Sequence, residues 1–108
     1  MRAAERLQLR LMHRVLVERS LRDVHGRLVK ARQELAVLDE QLLVLDDAAE
    51  EARLRSLVSE TPLAAHEYAD AQRHADAAQR VRSGLVATIG QLERRQDELL
   101  DQLVVGPR

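Results

Sequence analysis

Residues 17–52 read VERSLRDVHGRLVKARQELAVLDEQLLVLDDAAEEA. Apolar side chains recur there at alternating spacings of four and three: Val17, Leu21, Val24, Leu28, Ala31, Leu35, Leu38, Leu42, Leu45, Ala49 and Ala52. At about 3.6 residues per turn this rhythm draws one narrow apolar stripe along a long helix, the seam of a coiled coil. A single helix of this kind has nothing to bury its stripe against, so its stability has to come from packing on another element. What the chain does is therefore a question about what its helices touch.

The rest of the sequence supplies one such element. Ser59, Glu60, Thr61 and Pro62 interrupt the pattern, with Thr61 suited to cap a new helix and Pro62 to occupy its first position. The rhythm then resumes as Ala64, Tyr68, Ala71, Ala75, Ala78, Arg82, Leu85, Ile89, Leu92, Gln96, Leu99 and Leu103. If the chain folds back at this turn, residues whose numbers total about 120 oppose one another, and small side chains meet large ones as close packing requires. Ala75 then faces Leu45, Ala78 faces Leu42, and Ile89 faces Ala31. Arg82 and Gln96 interrupt the second stripe, where long stems lie along the seam while the polar heads stay in water. The expected fold class is all-α, a long antiparallel two-helix coiled-coil hairpin. Residues 1–108 form one unit in this reading, with helices at about 3–58 and 63–104 and a turn at 59–62. Gly84 and Gly90 weaken the second helix, and Gly106 and Pro107 end it.

Composition agrees with long helices and argues against a thick core. Phe, Trp and Cys are absent from the 108 residues and Tyr68 is the one aromatic side chain. Without cysteine there is neither a disulfide framework nor a thiolate metal site. Arg2, Glu5, Arg6 and Arg10 break any apolar run a signal peptide needs, and no stretch approaches the roughly 20 apolar residues of a membrane span. A cytoplasmic protein is expected. The net charge of −1 conceals an asymmetry: residues 1–32 carry +6, residues 33–70 carry −8 and residues 71–108 carry +1.

Before the seam begins, Leu7, Leu11 and Val15 follow one row and Leu9, Met12 and Leu16 another, both out of phase with it. Arg2, Arg6, Arg10 and Arg14 step by four and form a basic ridge. Such a ridge either contacts an acidic protein, a nucleic-acid backbone or an anionic membrane, or is simply solvated. The register rule leaves residues before about Arg10 with no helix opposite. Leu21, Leu28, Leu35 and Leu42 satisfy a leucine-zipper spacing, but the segment before them lacks the asparagine and paired small residues of a base-reading helix. Gly26 lies off the seam, where it costs about 1 kcal/mol relative to alanine.

A second apolar row, Val29, Ala36, Val37, Leu43 and Val44, lies on the outward side of the first helix. A helix serving one seam would be polar there, so the row points to another chain. Chemistry-bearing constellations are sparse. The acids Asp46, Asp47, Glu50 and Glu51 offer no recessed pair for proton transfer. His66, Asp70 and His74 step by four but have no second shell, so no metal is expected. No Glu-x-x-His pair, glycine-rich phosphate loop, nucleophile elbow or zincin motif occurs. No enzyme and no cofactor are expected.

The arrangement resembles the flagellar and type III secretion export-stalk family (FliJ and SctO-like), whose members are long antiparallel α-hairpins. QLLVLDDAAEEA (residues 41–52) is similar to that family's late first helix and HEYADAQRHADAAQR (residues 66–80) to its early second helix. The resemblance spans roughly residues 17–103. It implies a hairpin seated in a hexameric export ATPase ring, with a patch near the tip that contacts the export gate, in the cytoplasm at the inner face of the membrane. Carried over, that patch is Gln41, Leu45, Ala48 and Ala52 on the first helix and Tyr68, Ala71, Ala75 and Ala78 on the second. Several positions that tend to be aromatic in the family are alanine here.

Three functions follow as expectations. The first is a non-enzymatic stalk or adaptor of a secretion ATPase. The second is a self-associating coiled coil, a four-helix dimer paired through the outer row. The third is a nucleic-acid-associated protein using the basic first 32 residues; the lack of interleaved aromatic residues counts against single-strand binding.

Overall fold

The computed structural model describes residues 2–105 and is an all-α helical hairpin. Helix α1 is Ala3–Ser59, 57 residues, and helix α2 is Pro62–Val105, 44 residues. Proline is absent from the whole span of α1, and Ala, Leu, Arg and Glu fill it, so nothing in the backbone chemistry interrupts its hydrogen-bond ladder. Gly106 and Pro107, expected to end α2, lie outside the described residues.

The link between the helices is two residues long, and each does a separate job. Glu60 takes a left-handed conformation, φ 50°, and its N–H donates to the Ser56 carbonyl at 3.1 Å, closing the last turn of α1. Thr61 then caps α2: its Oγ1 accepts from the Ala64 N–H at 3.1 Å. Pro62 follows at the first helical position, where its missing N–H costs nothing. The turn therefore reverses the chain with a terminal carbonyl of α1 and a terminal N–H of α2 satisfied, as Thr61-Pro62 led one to expect.

Every described residue that is buried lies on one of the two stripes read from the sequence. In α1 these are Val17, Val24, Leu28, Ala31, Leu42, Ala49 and Ala52, and in α2 Ala64, Ala75, Ile89 and Leu99. The other stripe positions are half-buried, Arg82 and Gln96 among them. No polar or charged residue is buried among those described. The core is one side chain wide.

The contacts group into two units, each built from both helices. The first comprises α1 up to Arg32 and α2 from Thr88 onward, and the second, residues 33–87, holds the turn. In the first unit the buried side chains are mostly large, with Leu28 at 0 % and Leu99 at 2 % exposure the most enclosed. In the second they are Leu42, Ala49, Ala52, Ala64 and Ala75. The alanines have a geometric reason: interaxial distance follows side-chain size, and a two-residue link demands that the helices leave it close together. Across the seam of the second unit Arg82 Nε donates to Asp39 Oδ1 at 2.6 Å, one step from the expected register. In the first unit Arg32 reaches Glu93 at 3.5 Å on the exposed flank.

Candidate partner-binding surfaces

With the seam closed by the hairpin itself, the apolar residues left outside it are the informative ones. In the second unit Val37, Leu43 and Val44 are all exposed, Leu43 at 69 %. Their position follows from helix geometry: seven residues separate Val37 from Val44 and Ala36 from Leu43, so two short apolar rows run along the side of α1 away from α2. Acids border them. Asp39, Glu40 and Asp46 line a shallow groove of about 390 Å³ together with Leu42, Leu43 and Arg82. In the first unit Val29 is exposed in the same manner, though only at 40 %.

The patch carried over from the export-stalk resemblance divides. Gln41 and Ala48 are exposed, three and four residues along the helix from Val44 and on its side of α1. Leu45, Tyr68, Ala71 and Ala78 are half-buried along the seam. Ala52 and Ala75, each at 2 % exposure, are shut between the helices and offer nothing to a partner while the hairpin is closed. The open part of the second unit is thus Val37, Gln41, Leu43, Val44 and Ala48.

The basic ridge is exposed over Arg2, Arg6, Arg10 and Arg14. Arg14 Nε pairs with Glu18 Oε1 at 3.0 Å, whereas Arg2, Arg6 and Arg10 join no ion pair among the described residues. Arg10 and Arg14 line a groove of about 610 Å³ with Leu11, His13 and residues 102–105 of α2. His13 Nε2 is enclosed there without a hydrogen-bond partner among the described residues.

A further apolar cluster went unread in the sequence. Leu54, Leu57, Val58 and Leu63 stand exposed around the turn, Val58 at 86 %. Their spacing of three and four in α1 carried a signal, but one off the seam and next to an acidic run.

Several charged groups elsewhere are tied into local pairs. Arg53 donates to both carboxylate oxygens of Glu50, at 2.9 and 2.6 Å, and that hydrogen bonding, ahead of plain attraction, holds the Glu50 carboxyl below its usual range and the guanidinium above its own. His66 Nε2 lies 3.1 Å from Asp70 Oδ2, and Arg73 takes the other oxygen of the same carboxylate. Asp70 is therefore already engaged from both sides along its own helix. No group of three or more His, Cys, Asp or Glu placed to hold a metal occurs among the described residues. No helix of the described residues is long and apolar enough to cross a membrane.

Comparison with protein families, with characterised proteins and with solved structures finds no match for the chain.

Proposed function

We propose that the protein is a non-enzymatic α-hairpin adaptor that works by protein–protein contact, as a stalk or adaptor of a type III, flagellar-like export ATPase in the cytoplasm at the inner face of the membrane. The observation that carries this reading is the exposed row Val37, Leu43 and Val44 on a hairpin whose seam is complete without it. Apolar side chains in that position are covered by no part of the second unit, and desolvating each by a partner is worth about 1.5–3 kcal/mol. The bordering acids Glu40 and Asp46 favour a partner surface that is apolar at its centre and basic at its rim, Asp39 being already paired with Arg82. A hairpin with a narrow closed seam is also the shape the export-stalk resemblance calls for.

The test is the double variant Val37→Ser with Leu43→Ser, compared with the parent for helicity and for binding to a purified type III export ATPase. Helicity and melting should be retained, and binding should weaken by roughly two to four orders of magnitude. Unfolding of the variant would return the row to the protein's own core. Unchanged binding would move the contact elsewhere, and a molar mass that halves on substitution would identify the partner as a second copy of the chain.

A further inference from the structure

The first turns of α1 carry a third exposed apolar surface, and its geometry differs from that of the row Val37, Leu43 and Val44. Leu7, Leu9, Leu11, Met12, Val15 and Leu16 are each more than half exposed. At about 100° per residue they spread over an arc of roughly 200° around the helix. The opposite arc belongs to Arg6, Arg10 and His13, with Arg2 and Arg14 at its edges. Downstream, that arginine side becomes the seam: Arg10 lies one heptad before Val17, the first buried residue. The apolar and basic sides have therefore exchanged places relative to the hairpin, so most of the apolar arc points away from α2, with Leu11 at its margin bordering the groove shared with residues 102–105.

From this arrangement we infer that residues 3–16 lie on the surface of an anionic phospholipid bilayer, leucines and methionine immersed and arginines directed to the headgroups. A helix with a basic polar face and a broad aliphatic one takes this position at a lipid–water interface. Charge complementarity supplies the second ground: residues 2–16 hold four arginines against one acid, Glu5, and Arg2, Arg6 and Arg10 are uncommitted to ion pairs among the described residues. The arc is too wide for one partner helix, which covers a stripe, whereas a planar interface immerses about half a helix's circumference. A second copy fits worse. Six side chains fall short of the roughly 20–30 residues a side that a stable interface recruits, and two arms paired through this face would bring arginines of equal charge together at both margins. Two polar side chains fall within the arc in projection, Gln8 between Val15 and Met12 and Glu5 between Met12 and Leu16, and both oppose insertion.

The experiment uses the full chain and vesicles of phosphatidylcholine alone or mixed with phosphatidylglycerol. The sequence has no tryptophan, so Leu16→Trp gives a single reporter. Its emission should shift to the blue on mixed vesicles, remain unshifted on neutral ones, and return as salt is raised. Replacing Arg6 and Arg10 by Gln should weaken vesicle binding about twenty-five-fold, roughly fivefold for each arginine near the surface. Replacing Leu11 and Met12 by Gln should abolish the shift, and Glu5→Gln should strengthen binding. Circular dichroism of each variant should match the parent, because each of these side chains is exposed and none is buried in the seam, Arg10 and Leu11 bordering the end of α2 only at an open groove. The inference is overturned by an unshifted reporter on anionic vesicles, by equal binding to neutral ones, or by full binding of the Arg6, Arg10 variant. It is overturned too if the Leu11, Met12 variant lowers the molar mass of the protein alone, which would make the arc a contact between copies.

Discussion

Arg82 and Asp39 meet across the seam of the second unit, guanidinium Nε to carboxylate Oδ1 at 2.6 Å, at a position where the stripe of α2 would otherwise carry an aliphatic side chain. The stem of Arg82 covers the seam while its head is tied to the opposite helix, which sets the two helices in register as well as packing them. The hydrogen bond to Asp39, followed by the attraction of its charge, raises the guanidinium's affinity for its proton. A pKa raised on folding contributes stability that is full below the ordinary value and is lost only as pH rises through the folded one, far above neutrality. Melting should therefore show no contribution from Arg82 titration between about pH 5 and about pH 9. Arg82→Leu should melt no lower than the parent and Arg82→Ala should melt lower: both release Asp39, whose half-exposed carboxylate water can solvate, but only leucine refills the seam. A leucine variant that melts well below the parent would make the ion pair, rather than the covered seam, the stabilising element.

The turn makes a paired prediction. Thr61→Ala removes the oxygen that accepts the Ala64 N–H and should cost about 1 kcal/mol. Glu60→Gly relieves the left-handed backbone at φ 50° and should stabilise by up to about 1 kcal/mol. Urea titration of both variants measures the two signs, and a loss of stability in the Glu60→Gly protein would show that the Glu60 side chain has a role beyond the turn.

Seam and surface should separate cleanly in a stability series. Leu28 is fully enclosed, so Leu28→Ala should cost about 2–5 kcal/mol. Val44→Ser, on the exposed side, should change stability by no more than about 0.5 kcal/mol. Gly26 has open space around its missing Cβ, and Gly26→Ala should stabilise the helix by about 0.5–1 kcal/mol. Thermal unfolding of the three variants orders them, and a Val44 effect as large as that of Leu28 would contradict the placement of the outer row.

Glu50 titrates with a definite sign. Its carboxyl is held below its ordinary 4.5 by Arg53, so the pair's contribution is present above that value and is lost as pH falls through the folded one. Because both groups are exposed, the effect is small and screened by salt. Melting temperatures of the parent and Glu50→Gln should differ at neutral pH and converge in acid; a difference that grows on acidification would reverse the assignment.

Most of the fold was legible because helical periodicity is a local property, repeated at every turn and readable without knowing what lies opposite. The stripes from Val17 to Ala52 and from Ala64 to Leu103, together with Thr61 and Pro62 at the break, announce two helices and a reversal between them. Their buried members are the core. What the stripes leave open is coverage, which depends on residues far apart in the chain, as Asp39 and Arg82 are with 43 positions between their numbers. Only the packed structure decides that Ala52 and Ala75, named together with Gln41 and Ala48 as one patch, are sealed between helices while those two remain in water. It decides likewise that Leu11 and Met12, apolar and helical like Leu28, stay more than half exposed. The physical reason is that a side chain's hydrophobicity is written in its own letter, but the water it loses is removed by another part of the chain.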